Sequence, residues 1–384
     1  MRDAVIVDAV RTPIGKRNGA LAGVHAVDLS AGVLSALVVR VGVDPALVED
    51  VVWGCVTQAG EQSSNVGRWA ALAAGWPETI PGTTVDRACG SSQQSLHFAA
   101  AGVISGQYDI AVAGGVETMS RVPMGSARNS GPGEARGPKI AERYGDSDFS
   151  QGHAAEMLAR NWNLSRAQAD EISLSSHARA AAASDEGRFE SQIVPVKLSD
   201  GSVVTSDEGI RRGGTLETLG KLRTVFAEDG IVTAGNSSQI SDGASAALVM
   251  TSERARQLGL KPLARLHSFA LTAVDPVLML TGPITATEAV LRRSGLELKD
   301  IGVFEINEAF ATVVLAWLAE TGADSALVNP NGGGIALGHP LGATGVRMTA
   351  TLAHHMVANG IDYGLQSLCE AGGMANALIL ERVA

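Results

Sequence analysis

Three cysteines and one histidine held in a glycine-rich run are the residues of this 384-residue chain best suited to covalent chemistry. Cys89 stands in Asp86-Arg87-Ala88-Cys89-Gly90-Ser91-Ser92, between an apolar run and a stretch of small residues that reads as a helix. A thiol at a helix start lies near unpaired N–H groups and the positive end of the helix dipole, so its pKa is expected to fall. The same N–H groups suit a developing oxyanion. His339 lies in the most glycine-rich stretch, Asn329 to Gly345, which lacks the lysine of a phosphate-binding loop. Fixed between Gly338 and Pro340, its ring suits a general base or the charge partner of a thiolate. Cys369 leads through Glu370 and Ala371 into Gly372-Gly373 and an apolar strand, which places its thiol for exposure at a strand edge. The fourth segment, Glu305-Ile306-Asn307-Glu308-Ala309-Phe310, closes another strand. Taken singly, Cys89 is equally consistent with an inert core thiol, while a loop histidine, an inert core thiol and an ordinary cap are the favoured readings of His339, Cys369 and the 305–310 turn. No cysteine pair has CxxC spacing and no His/Cys cluster has ligand spacing, so no metal site is expected.

The elements that must carry these residues alternate. Ala4–Val7 reads as a strand buried on both faces. A helix follows, with Asp28 as the expected N-cap and Leu29, Val33, Leu34 and Leu37 on one face. Residues 51–56, 83–85 and 110–113 read as further strands with helical patterns between them, which predicts a largely parallel sheet covered by helices. Beyond Ser120 the texture changes. Residues 121–147 are rich in Gly, Pro, Arg and Ser and read as a long excursion kept for function. A helix with a Ser165/Gln168 capping box runs to about Gly187, and 199–214 is polar again. Strand–helix alternation resumes near Ile240, with strands predicted at 246–250, 264–267, 303–306 and 377–380. The halves show no sequence-level repeat, so any relation between them is architectural.

Composition narrows the class. Aromatics make up 4% and hydrophobics 45%, so the core is built from Ala, Val, Leu and Ile, as suits an α/β protein. A net charge of −10 argues against a nucleic-acid binder, although roughly half of the Lys and Arg lie between Arg121 and Arg223 and form a candidate anion patch. Few cysteines, no apolar run long enough for a signal peptide and none long enough for a bilayer lead to the expectation of a soluble, cytoplasmic protein without a membrane partner.

Together the four segments resemble one family. A Cys-Gly-Ser helix start, an Asn-Glu-Ala-Phe turn, a Gly-His-Pro-Leu-Gly loop and a C-terminal Cys-x-x-Gly-Gly turn, in this order and spacing, are similar to the thiolases. Gly235 to Ala244 and the opening Asp8 to Gly15 extend the likeness over nearly the whole chain. The resemblance implies an α/β fold, a five-layered αβαβα sandwich of two similar halves with an inserted loop domain. The implied parts are 1–120 plus 239–263, then 121–238, then 264–384. It implies that Cys89 takes the acyl group as a thioester, that His339 activates it and helps bind the thioester oxygen, and that Cys369, with a thiol tuned toward neutrality, moves a proton at the α-carbon. Asn307 would hold a water in one oxyanion hole, and the N–H groups of Cys89 and Ala371 would make the other. Coenzyme A and acyl-CoA enter as substrates, with no permanently bound cofactor. Ser238 corresponds to the residue near the pantetheine arm and Arg211 to the one near the adenine, with Arg212, Lys221 and Arg223 as possible added charge. The implied assembly is a homodimer or homotetramer.

The chain departs from the short-chain biosynthetic pattern. Ser150-Gln151-Gly152 stands where many acetoacetyl-specific members have His-Met-Gly, and Ala371 stands where glycine is common. Ser91-Ser92-Gln93-Gln94 and the Cys369-Glu370 pair look more like degradative 3-ketoacyl-CoA thiolases. Thiolytic cleavage of a 3-ketoacyl-CoA is therefore the leading expectation, and condensation of two acetyl-CoA the second. A carrier-protein synthase would lack Cys369, and a silent binding scaffold would not keep all four residues. A Cys89–Cys369 disulfide sensor is a separate hypothesis.

Overall fold

The computed structural model describes residues 2–129 and 131–383; Met1, Ala384 and Ser130, which belongs to the predicted excursion, lie outside the described residues. The first half runs β1 (Val5–Arg11), β2 (Gly15–Lys16), α1 (Ala26–Val41), β3 (Asp50–Gly54), α2 (Val66–Ala73), β4 (Gly82–Val85), α3 (Ser91–Ser105) and β5 (Ile110–Thr118). The segment 121–238 holds α4 (Ser126–Asn129), α5 (Pro138–Tyr144), α6 (Gln151–Asn161), α7 (Arg166–Asp185), β6 (Val196–Lys197), β7 (Val203–Val204) and α8 (Leu216–Gly220). The chain returns through β8 (Ser241–Met250) and α9 (Ser252–Gln257). The second half follows as β9 (Ala264–Ala273), α10 (Gly282–Ser294), β10 (Val303–Ile306), α11 (Ala311–Thr321), α12 (Gly334–Leu337), α13 (Thr344–Asn359), β11 (Tyr363–Glu370) and β12 (Met374–Arg382).

The strand order is β10-β11-β12-β9-β1-β8-β5-β3-β4. It splits into two matching sets. β3 is parallel to β5, which is antiparallel to β8, which is antiparallel to β1. In the same pattern β10 is parallel to β11, which is antiparallel to β12, which is antiparallel to β9. The sets meet where Val5 pairs with Arg265 and Ile6 with Ala264. The sheet is thus mixed, not largely parallel as the alternation predicted. The reason is that each half ends on a strand that folds back: β8 after the excursion, and β12 after the three-residue turn Ala371-Gly372-Gly373, where both glycines have left-handed φ of 81° and 78°.

The layers follow from side-chain alternation. Along β1, Val5 and Val7 join the cluster under α1 and α2, whereas Ala4 and Ile6 face the cluster that includes Leu96 of α3 and Val346 of α13. Along β12, Leu378 and Leu380 face that same central cluster, while Ala377 and Ile379 face Val290 of α10 and Trp317 of α11. This gives α, β, α, β, α, with α3 and α13 as the shared middle layer. Their contact is close because Gly345 has no side chain: a Cβ there would lie 2.2 Å from the Gln93 nitrogen. Val346 N–H donates to Ser92 Oγ at 3.0 Å and Gln366 Nε2 donates to Gln93 Oε1 at 2.8 Å, which ties the halves across this crossing.

Helix starts follow local chemistry. Ser165 and Gln168 form the predicted capping box at α7. The cap of α1 is His25, whose Nδ1 accepts from Val27 N–H, and not Asp28, which sits in the first turn where its charge meets the helix dipole. Among the described residues, no helix is long and apolar enough to cross a membrane.

Candidate active site

Cys89 lies in a tight turn between β4 and α3, with Gly90 at the cap position of the helix. Ala88 takes a left-handed φ of 44°, an uncommon conformation for a residue with a side chain. The turn is held from both sides. Ala88 N–H donates to Asp86 Oδ1 at 2.8 Å, Arg87 N–H donates to Ser91 Oγ at 2.9 Å, and Ser91 Oγ–H donates to the Ala88 carbonyl at 2.7 Å. Glycine is required at 90, where a Cβ would fall 1.9 Å from Glu370 Oε1.

The sequence expectation of a lowered Cys89 pKa is reversed here. The thiol is only 3% exposed, and burial pushes it up to about 12, with a Gln151 hydrogen bond opposing the rise. Removing the sulfur from water costs more than a helix start returns. Cys369 likewise departs from expectation. It is fully buried inside the β11–β12 ladder rather than exposed at an edge, and burial, then the Cys89 charge, push its thiol well above its ordinary value rather than toward neutrality. All three cysteines are free thiols.

His339 and Asn307 meet beneath the same region. Asn307 Nδ2 is 3.3 Å from His339 Nε2, and His339 Nδ1 is 2.7 Å from Thr344 Oγ1. Because the Thr344 hydroxyl donates to the Pro340 carbonyl at 2.8 Å, it must accept from the ring. This assigns the proton to Nδ1 and leaves Nε2 as a lone pair. Burial, then the charge of Arg347, lower the His339 pKa to about 3, so the ring rests neutral.

Two buried glutamates that the sequence did not single out as catalytic neighbours tie the loops together. Glu117 accepts from the N–H of Val56, Thr57 and Gly342 and from Gln62 Nε2, at 2.9–3.0 Å. It thereby joins β5, the loop after β3 and the loop of His339. Glu308 accepts from Ser176 Oγ, Asn329 Nδ2 and Ile335 N–H, which fixes the Asn307 turn against the glycine-rich run. Glu308 stands within the Asn-Glu-Ala-Phe turn, whereas Glu117 closes an apolar strand with no motif to mark it.

A cavity of about 1050 Å³ opens onto Cys89. Cys89, Gln151, Leu341 and Ala371 line it, with Met124, Ile140, Tyr144, Phe149, Phe226 and Phe310 supplying apolar wall. His339, Asn307 and Cys369 do not line it and lie deeper. Cys89 packs against Leu341, two residues from His339. Ala371 lies beyond the last ladder pair, Glu370 with Met374, which leaves its N–H outside the ladder. The excursion therefore contributes much of the wall.

The two residues expected to meet coenzyme A are separated. Arg211 lines a second cavity, of about 510 Å³, with His177, Thr218, Leu222 and Gly235. Ser238 does not line it; its N–H donates to the Ala309 carbonyl at 2.9 Å. The segment 235–238 nevertheless runs from Gly235 in that cavity to Ser237, which bridges Phe310 in the wall of the first. Arg212 is paired with Asp185 and Lys221 with Glu217, both at 2.7 Å, so neither is a free charge. No group of three or more His, Cys, Asp or Glu able to hold a metal ion occurs among the described residues.

Glu370 is buried, and neither carboxyl oxygen has a protein hydrogen-bond partner. Burial raises its pKa from 4.5 to about 8, with Arg87 opposing. Between those values the native protein holds a proton that the unfolded chain has released. Stability is then fully present below pH 4.5, falls as pH rises through that window and levels off above about 8. Glu370→Gln removes this term. The variant is expected to match the parent near pH 4.5 and to exceed it at pH 8, by at most ~5 kcal/mol. Parallel urea unfolding curves at the two pH values check this; an equal stability difference at both would refute it.

A buried thiol in the cavity wall, with a second thiol and a neutral imidazole buried nearby on an αβαβα scaffold, is an arrangement that fits an acyltransferase. The chain belongs to the thiolase family: the thiolase N-terminal domain model matches residues 4–253 and the C-terminal domain model residues 260–382. It is thus an acyl-CoA thiolase, an acyltransferase. It is 48% identical to the steroid 3-ketoacyl-CoA thiolase FadA6 of Mycobacterium tuberculosis, over 100% of this chain and 95% of that one. It is 42% identical to the 3-ketoacyl-CoA thiolase of Bacillus subtilis, over 99% and 100%. The crystal structure of the Bacillus anthracis acetyl-CoA acetyltransferase superposes with a TM-score of 0.92 at 38% identity, covering 100% of this chain and 99% of that one.

Proposed function

We propose that the chain is a degradative thiolase that cleaves a 3-ketoacyl-CoA carrying a bulky acyl group. The observation that carries this reading is the cavity of about 1050 Å³ with aromatic and aliphatic walls around Cys89, a volume that accommodates a drug-sized ligand and far exceeds an acetyl group. The steroid 3-ketoacyl-CoA thiolase among its relatives supports a ring-bearing acyl group.

In the proposed cycle the Cys89 thiol gives its proton to His339 Nε2, and the sulfur adds to the 3-keto carbon. The tetrahedral oxyanion takes hydrogen bonds from the N–H groups of Cys89 and Ala371. Collapse breaks the C2–C3 bond, and the acetyl-CoA enolate, whose thioester oxygen is held by the protonated Nε2 and by Asn307, directly or through a water, takes the Cys369 proton. Free coenzyme A then gives its thiol proton to Cys369 and accepts the acyl group from Cys89, whose released sulfur takes its proton back from His339 Nε2. Coenzyme A is a substrate, with no resident cofactor in the cycle. Segment 121–238 would receive it between Arg211 and Ser238, flanked by catalytic halves 1–120 plus 239–263 and 264–384. A homodimer or homotetramer in the cytoplasm completes the reading. It is motivated by exposed Phe98 and Leu271, and by β4, which is the terminal strand of the sheet.

The test is thiolysis with free coenzyme A across 3-ketoacyl-CoA substrates, from acetoacetyl-CoA to long-chain and ring-bearing ones. Bulky substrates are expected to show kcat/KM at least ~10-fold above acetoacetyl-CoA. The reverse order would assign the acetyl-CoA acetyltransferase activity named for the Bacillus anthracis protein.

A further inference from the structure

We propose that Gln151 is a catalytic residue of the thiolase reaction, its side-chain amide donating a hydrogen bond to the Cys89 sulfur as the thiol gives up its proton. The proposal rests on the assignment of Cys89 as the nucleophile. Gln151 Nε2 is 3.8 Å from Cys89 Sγ, within N–H···S range, and Gln151 lines the same cavity.

The surroundings show why such a donor is needed. A thiolate at Cys89 forms in a buried site. The carboxyl groups that face it are adverse when ionised: Glu117 from β5 and Glu370 from β11 disfavour negative charge on sulfur. His339 Nε2 is engaged by Asn307 and is the proton acceptor, so it offers no hydrogen until after the transfer. Gln151 supplies a neutral donor that is present throughout. It adds no charge that would hold the thiolate after acylation, when sulfur must become neutral thioester.

The amide is also held in place. Gln151 is the first residue of α6, whose N-cap Ser150 accepts from His153 N–H at 3.3 Å. The next residue, Gly152, packs so closely on Phe226 that a Cβ would lie 2.2 Å from the ring. Ala154, Ala155 and Leu158 bury the following turns beside Cys369. The start of α6 therefore cannot slide along the cavity, and the amide keeps its distance to the sulfur. A methionine, which reaches equally far, would fill the same space and donate nothing.

The experiment follows the second-order rate of Cys89 alkylation by iodoacetamide against pH in the full-length parent, Gln151→Met and Gln151→Glu, with the labelled residue located by mass spectrometry. Loss of one hydrogen bond to a charged group predicts that Gln151→Met slows alkylation about tenfold throughout the rising limb at pH 7–9. Thiolysis kcat should fall comparably, with KM unchanged within about twofold. Gln151→Glu should approach parental reactivity when its carboxyl is protonated and fall below Gln151→Met once it ionises, a pH response that mere packing does not produce. Superimposable profiles for parent and Gln151→Met, with Cys89 the labelled residue, overturn the proposal. Labelling that does not reach Cys89 in the parent instead overturns the nucleophile assignment, and the proposal with it.

Discussion

Cys89→Ala is expected to lower thiolysis kcat by on the order of 10⁴-fold or more, because the acyl group then has no protein atom to which it can bond. The fold should survive. Cys89 packs in a small cluster with Met119 and Leu341, so removing its sulfur leaves a limited cavity that costs about 1 kcal/mol. Single-turnover incubation with a 3-ketoacyl-CoA, followed by intact-protein mass measurement, separates this from a binding defect. The parent should gain one acyl mass and the variant none. A variant retaining more than about a tenth of parental kcat would exclude Cys89 as nucleophile.

Glu117→Ala is the substitution expected to cost most stability. It strands four donors, the buried N–H groups of Thr57 and Gly342, the buried amide of Gln62 and the partly buried N–H of Val56. Each unpaired donor costs about 1–3 kcal/mol, and partial relaxation brings the expected total to about 3–5 kcal/mol. Glu117→Gln, of equal size but with one acceptor oxygen, should fall between parent and alanine. Urea unfolding monitored by far-UV circular dichroism measures all three. A Glu117→Ala stability within about 0.5 kcal/mol of the parent would show that the loops do not depend on this carboxylate. Activity should fall in step, since Glu117 joins Val56 and Thr57 in the cavity wall to the loop of His339.

Much of the architecture was legible. Val303–Ile306 forms a strand at the predicted bounds, and the Ser165/Gln168 box starts α7, because buried apolar runs and caps are decided by neighbours in sequence. The strand predicted at 377–380 is longer, 374–382, since pairing with β9 and β11 extends it through residues with little strand signal of their own. Parallel pairing was over-predicted because alternation reveals that helices intervene, not that β8 arrives from the excursion to lie antiparallel between β5 and β1.

The site divides in the same way. Residue types, order and spacing alone pointed to the family, because a thioester nucleophile, an imidazole and a second thiol must all be present whatever holds them. Their protonation was decided by the tertiary structure. Burial reversed the expected shift at Cys89, removed Cys369 from any exposed edge and left His339 neutral, with its proton fixed on Nδ1 by Thr344. Gln151, Glu117 and Glu370 gained their places through contacts spanning 62 residues between Gln151 and Cys89 and 225 between Glu117 and Gly342. Sequence determined which groups this protein brings to acyl transfer. Only the fold decided how far each is from water, and desolvation in a low-dielectric interior is the largest force on a buried acid or base.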